Sequence, residues 1–231
     1  MSSLQTALQL FGALLNILLL IFLLRGFLPK YSVLFAYNLA QFLITLVERV
    51  LWGEDRGSLL YREVYWTSEI VWDFLLFLLV TVLIHQALAG RKEREMARKI
   101  LFIVMIAVVV LPFVLFHDRV IFQTRWFSGA SQVLNFGAAI LTLVLWGALI
   151  ASRNRDHQLM LVCAGLGITV AGAALAWGIR QLAVGTGSTE STIRDLADLF
   201  AGLTYVAGLG LWCWAFRSAR EPSPPQPARV T

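Results

Sequence analysis

The stretch VYWTSEIVWDFLLFLLVTVLIHQAL, residues 64–88, decides the class of this protein. Between Phe74 and Ile84 its only polar side chain is Thr81, and its only acids are Glu69 and Asp73. As a helix at 1.5 Å per residue it reaches about 37 Å, more than the roughly 30 Å hydrocarbon core of a bilayer. Backbone amides in hydrocarbon have no water to bond, so a spanning segment of this kind is helical and satisfies them internally.

Comparable runs lie on either side, at about 4–25, 32–52, 99–116, 128–151, 159–182 and 194–216, giving seven predicted spans. Overall 58% of the 231 residues are hydrophobic and 14% charged, against the quarter or so of charged residues in a soluble domain. The expected fold is an all-α integral membrane bundle of seven helices, one domain over residues 1–220, with short connections making consecutive helices antiparallel neighbours. The tail, 221–231, carries Pro222, Pro224, Pro225 and Pro227 and too little apolar surface for a core, so it reads as disordered. Met1 to Gln5 hold no positive charge, and the first run exceeds a normal signal core, so it is expected to stay attached. Cys163 and Cys213 both fall within spans and read as small buried hydrophobes.

The basic residues set the orientation. Arg25, Lys30, Arg91, Lys92, Arg94, Arg98, Lys99, Arg153, Arg155, Arg217, Arg220 and Arg229 fall on one side of the spans, against Arg56, Arg62, Arg119, Arg125 and Arg194 on the other. The positive-inside rule then puts the N-terminus outside and the C-terminus in the cytoplasm. Net charge is +5, but the excess sits in the loops that topology makes basic, which argues against nucleic acid as a partner. The segment Arg91, Lys92, Arg94, Arg98 and Lys99 is the densest, suited to anionic lipid headgroups or a cytoplasmic effector protein.

Polar residues at helical spacing mark the faces turned toward protein. Gln5, Gly12 and Asn16 share one face of the first helix, Asn38, Gln41, Thr45, Glu48 and Trp52 one face of the second, and Trp66, Glu69 and Asp73 one face of the third. Ser128, Gln132, Asn135, Thr142 and Trp146 continue on the fifth, and Asp195, Asp198, Gly202, Tyr205 and Trp212 on the seventh. The sixth offers small residues, Gly165, Thr169, Gly172 and Ala176, before Arg180. Ile100 to Phe116 has no such stripe, placing the fourth helix at the periphery with Pro112 bending it.

Ionisable members of these stripes gather toward the outer end. The candidate ligand or ion pocket comprises Glu48, Arg49, Glu69, Asp73, Asn135, Arg180, Asp198 and Tyr205. Charges in low dielectric need counter-charges or water. The expected pairs are Arg180 with Glu69 or Asp73, and Arg49 with a carboxylate of the third or seventh helix. The same residues also suit a purely structural network or a proton relay.

Other chemistry finds little footing. The lysines, Lys30, Lys92 and Lys99, sit at loops or span edges, where none can hold retinal as a Schiff base. His85 and His157 lie near one end of the spans and His117 near the other, so they do not converge on haem or zinc. Ser128 and Ser131 have no histidine at their depth and read as helix-start residues. No cofactor is called for. Acid–base catalysis by the outer carboxylates is the remaining enzymatic option.

The segments Arg25-Gly-Phe-Leu-Pro-Lys-Tyr to Phe35-Ala-Tyr, Tyr65-Trp-Thr-Ser-Glu69, Leu134-Asn-Phe with Trp146, Ala151-Ser-Arg-Asn-Arg-Asp156, and Gly165-Leu-Gly-Ile to Arg180-Gln resemble a family of small, uncharacterised bacterial seven-helix membrane proteins. The resemblance covers about residues 25 to 217. It implies a multi-pass protein of the cell's inner (cytoplasmic) membrane, with Glu69, Asn135 and Arg180 in a shared interior, and brings no activity with it. Three functions fit the whole. The first is a sensor or receptor-like protein that takes a small polar ligand in an outward pocket and answers to a cytoplasmic partner. The others are a proton-coupled carrier and an assembly subunit of a membrane complex.

Overall fold

The computed structural model describes residues 3–51, 59–88, 94–115, 124–152, 156–183 and 190–218, all helical apart from short turns, with no strand among them. In chain order the helices are α1 (Ser3–Phe22), α2 (Ser32–Leu51), α3 (Leu59–Ala87), α4 (Arg94–Leu115), α5 (Thr124–Ser152), α6 (His157–Ala183) and α7 (Glu190–Ser218). The tail 221–231 lies outside the described residues, as do Arg91 and Lys92.

Six helices are long and apolar enough to cross a membrane, over Leu4–Phe27, Val64–Ala87, Arg98–Leu115, Gly129–Ile150, His157–Arg180 and Thr192–Arg217. These bounds fall within about two residues of those read from hydropathy. In α2 the apolar part is Ser32–Val47, because Glu48 and Arg49 follow it. Such a stretch spans only about 24 Å of the 30 Å core.

Consecutive order is not the whole of the packing. α6 lies along α7, α7 along α1, α1 against α2, α2 against α3, α3 against α5, and α5 back against α6, which closes a ring of six helices. α4 sits outside this ring against α5 and α3, as its lack of polar residues led one to expect. Of its side chains only Leu101 and Pro112 are buried among those described, and the helix runs on through Pro112 to Leu115. Beneath it an apolar groove of about 380 Å³ is lined by Ile70, Phe74, Val108, Phe113 and Leu134 among others.

The middle of the ring is mainly apolar, with Asn16, Asn38, Thr142 and Thr169 the buried polar side chains among it. Leu19, Leu34, Tyr37, Phe77, Val80, Leu145, Leu166, Leu209 and Trp212 are completely buried there and come from six different helices. Along α6 and α7 the backbones approach closely because the facing residues are small. A Cβ on Gly165 would stand 2.9 Å from the carbonyl oxygen of Gly208, and one on Gly208 would stand 2.9 Å from that of Gly165. The Trp212 indole fits over this seam and donates to the Val162 carbonyl at 2.8 Å. Close approach of this kind replaces the hydrophobic drive that lipid does not supply. Cys163 and Cys213 are buried free thiols, matching the reading of them as small hydrophobes.

At the end where α1, α3 and α7 finish and α6 starts, polar contacts tie the ring together. α1 leaves through a π-helical turn, Leu23–Phe27, in which Gly26 adopts φ 141°, a region a side chain would strain. Tyr31 and Phe27 then pack on Phe216 of α7, with ring centroids 5.1 and 5.2 Å away. Lys30 bonds Asp156 at 2.9 Å, and the Gln86 amide donates to the Lys30 carbonyl at 2.9 Å. Asp156 also caps α6 by accepting from the Leu159 N–H at 3.1 Å. Partial burial is the largest influence and pulls the Lys30 ammonium down, but Asp156 and Tyr31 together outweigh it and hold its pKa above the ordinary value. Burial likewise pushes the Asp156 carboxyl up, yet Lys30 and the α6 N–H groups hold it below the ordinary carboxylate value.

Candidate functional site

Glu69 and Asp73 are four residues apart on α3 and therefore on one face, a turn from each other. The structure turns them to different neighbours. Asp73, only 3% exposed, faces α5, where Ser131 Oγ and Asn135 Nδ2 both donate to it, the latter at 2.8 Å. Ser131 and Asn135 are themselves one turn apart, so a one-turn pair on α5 meets the register of α3. A carboxylate in low dielectric is tolerable when such donors satisfy it.

Ser131 is the residue the sequence reading placed elsewhere. Ser128 and Gln132 were expected beside Asn135; Gln132 is exposed, and the Ser128 side chain lies outside the described residues. The signal was the four-residue spacing of Ser131 and Asn135, which repeats that of Glu69 and Asp73.

Arg180 does not pair with Glu69 or Asp73 as expected. Its Nε donates to Asp198 Oδ1 at 2.9 Å, and its terminal nitrogen bonds the same oxygen. The cause is the glycine seam, which draws α6 and α7 together and puts these two side chains across from each other. With side chains 42% and 49% exposed, this pair has the character of a surface ion pair and contributes little. The helix carries Glu48 and Arg49, but their side chains, and hence the expected partner of Arg49, lie outside the described residues. Arg94 begins α4, with its side chain likewise outside the described residues, while Arg98 and Lys99 are exposed.

Glu69 is half-buried, within hydrogen-bonding reach of Tyr65 one turn earlier and close enough to Arg180 to feel its charge. It forms no ion pair among the described residues. It lines a cleft of about 90 Å³ between α2 and α3, together with Gln41, Ile44, Thr45, Ser68 and Trp72. Of the eight candidate residues only Glu69, among those described, lines it, while Gln41 and Thr45 come from the polar stripe read on α2.

Tyr205 belongs to another contact. Its hydroxyl accepts from Asn16 Nδ2 at 3.1 Å, joining α7 to α1, with Gly12 leaving room for its ring. Between Tyr205 and the cleft lies Tyr37, fully buried, its ring stacked on Trp72 at 6.3 Å. The Tyr37 hydroxyl, Trp72 Nε1 and Gln41 Oε1 are buried and lack a hydrogen-bond partner among the described residues. Unsatisfied groups of this sort mark places where water or a ligand completes the bonding.

Thus the eight candidate residues resolve into a cleft at Glu69, a lock of Asp73 on Asn135, a pair of Arg180 with Asp198, a contact of Tyr205 with Asn16, and the two undescribed side chains. Among the described residues no three His, Cys, Asp or Glu side chains converge on a metal position. No family model matches the chain, and no curated protein and no solved structure is significantly similar to it.

Proposed function

We propose that the chain is a small multi-pass sensor or receptor-like protein of the inner (cytoplasmic) membrane, taking a small polar ligand in the cleft between α2 and α3. In this reading all seven helices cross the bilayer, the N-terminus is outside and the C-terminus cytoplasmic. The cleft opens toward the outer face, and the basic segment around Arg98 and Lys99 meets a cytoplasmic effector protein. The observation that carries the reading is the polar cleft standing above a mainly apolar layer. Below the level of Asp73, α3 buries Phe77, Val80 and Ile84 against apolar partners. A ligand seated at Glu69 therefore has a place to bind, with mostly apolar side chains beyond it.

A ligand shifts helix positions only as far as it prefers one arrangement over another. The test is a broad screen of small polar compounds against the purified protein, read by thermal stabilisation. At least one compound should stabilise the wild type and fail with Glu69→Gln; a screen in which none does would dispose of the reading.

A proton-coupled carrier is the second reading, favoured by the two carboxylates one turn apart and by the neutral donors that hold Asp73. Proton-driven flux in proteoliposomes that survives both Glu69→Gln and Asp73→Asn would exclude these groups from such a role.

A further inference from the structure

We propose that the cleft between α2 and α3 is built for a primary ammonium group, an assignment that rests on reading the cleft as a ligand site. The argument is a census of donors and acceptors. A hydroxyl has one proton and two lone pairs. Thr45 spends its proton on the Gln41 carbonyl at 2.8 Å, and Ser68 spends its own on the Tyr65 carbonyl at 2.8 Å. Both hydroxyls therefore face any guest as acceptors only. Gln41 adds a buried amide oxygen without a partner among the described residues. Glu69 adds a carboxylate that has no ion-pair partner there, since Arg180 is bonded to Asp198. Trp72 Nε1, a donor in the wall, is buried near the Tyr37 hydroxyl and has no hydrogen-bond partner among the described residues.

Such a lining selects by sign and by hydrogen bonding. An anion is repelled by the Glu69 carboxylate and meets mostly acceptors, with the Trp72 indole N–H as a buried donor in the wall. Calcium asks for six to eight oxygen ligands, more than this lining supplies. A primary ammonium carries three N–H donors and one positive charge, which match a carboxylate, an amide oxygen and a hydroxyl lone pair. Its short alkyl stem suits Ile44 and the Trp72 ring, which also favours cations. The cleft's volume of about 90 Å³ is room for roughly three water-sized groups, enough for ethylammonium or the head of a longer amine. The same head group belongs to free small amines and to the ethanolamine headgroup of phospholipids, and the experiment separates these sources.

Full-length protein is reconstituted in nanodiscs of phosphatidylcholine and titrated with ethylammonium chloride at constant ionic strength, following the unfolding temperature. Saturable stabilisation is expected, with potassium and tetramethylammonium at least tenfold weaker because neither offers N–H donors. Glu69→Gln should weaken the response at least tenfold and Gln41→Leu several-fold, while Asp195→Asn, an exposed residue of α7, leaves it unchanged. Unfolding temperatures of the variants without amine establish that they are folded. Loss of the ethylammonium response in discs of phosphatidylethanolamine assigns the site to the lipid headgroup; an unchanged response assigns it to free amines.

Equal stabilisation by tetramethylammonium or potassium, an unaltered response in folded Glu69→Gln, or no saturable response at all would overturn the ammonium assignment. If a neutral or acidic compound from the broad screen instead stabilises the wild type and not Glu69→Gln, the cleft remains a ligand site and only the ammonium assignment falls. If no compound does so, both fall.

Discussion

Adding one methyl group at Gly165 tests the seam between α6 and α7. The new Cβ would stand 2.5 Å from Trp212 Nε1, 2.7 Å from its Cδ1 and 2.9 Å from the Gly208 carbonyl oxygen. Non-bonded carbon atoms prefer about 3.5–4.0 Å, so the indole must swing away or the helices must part. Overpacking of this kind costs about 1–3 kcal/mol. Moving the indole also breaks its bond to the Val162 carbonyl, worth about 0.6–1.7 kcal/mol within a membrane. Alanine's better helix propensity returns up to about 1 kcal/mol. The net for Gly165→Ala is a loss of about 1–4 kcal/mol, or roughly 2–16 °C in unfolding temperature for a chain of this size. Gly178 and Gly210 lie on the same two helices with no atom within 4 Å of an added Cβ. Alanine there keeps only the propensity gain, so the sign reverses, to a stabilisation of up to about 1 kcal/mol. Thermal unfolding of the three variants in one detergent reads the comparison directly. Equal unfolding temperatures for Gly165→Ala and Gly178→Ala would refute the close approach of the two helices.

Ser131→Ala and Asn135→Leu should each cost about 1 kcal/mol, and in a double-mutant cycle with Asp73→Asn each should couple to it, as donors to one carboxylate must; additive losses would detach them from Asp73. The contact between Lys30 and Asp156 makes a pH prediction. Because the folded Asp156 pKa is depressed, its stabilisation is complete above the ordinary value near 4 and fades as pH falls through the folded value. The raised Lys30 pKa means its share is complete below about 10.5 and fades only as pH rises through the folded value. Unfolding temperature should therefore be flat between those limits with respect to this pair, and Asp156→Asn should remove part of the acid-side decline. Single cysteines at positions 95 and 190 in a Cys163→Ala, Cys213→Ala background should be labelled from opposite sides by an impermeant maleimide; labelling of both from one side would overturn the proposed topology.

The spans were legible because bilayer thickness and backbone hydrogen bonding act on each segment separately, so a run such as 64–88 declares itself without knowledge of its neighbours. Which helices touch was less so. The peripheral place of α4 follows from its missing polar stripe, but the extensive packing of α3 on α5, with α4 touching α3 only slightly, is a property of the whole ring. The polar contacts divide in the same way. That Glu69 and Asp73 look inward follows from their spacing; that Asp73 chooses Ser131 depends on a sub-turn rotation of α5 that no pattern in one helix fixes. Arg180 was matched with the wrong acid because charge alone cannot rank Glu69, Asp73 and Asp198. Distance ranks them, and distance here is set by glycines at 165 and 208, uncharged residues that an electrostatic reading passes over.

The layer beneath the cleft bears on the choice between receptor and carrier. Phe77, Leu34, Leu145, Leu166 and Leu209, all fully buried, come from five helices and belong to one apolar core. A route for a polar solute through the ring must wet them, and each costs about 1.5–3 kcal/mol to expose to water, or roughly 10 kcal/mol together. A ligand of micromolar affinity commands about 8 kcal/mol in all, and only the part by which it prefers the open arrangement can be used. Rigid rocking of one half against the other would avoid wetting the layer only if it divided along a plane between helices. Side chains from five helices interlock there, and the Gly165 and Gly208 seam joins two of the helices backbone to backbone. A shift of α2 against α3 asks for much less, because the cleft already separates them at the outer end. At the other end of α3 the Gln86 amide bonds the Lys30 carbonyl, so in the proposed reading a tilt of α3 is felt by that loop. The physical cost of opening thus sets receptor-like action, a small tilt read out at the far end, above passage through the ring.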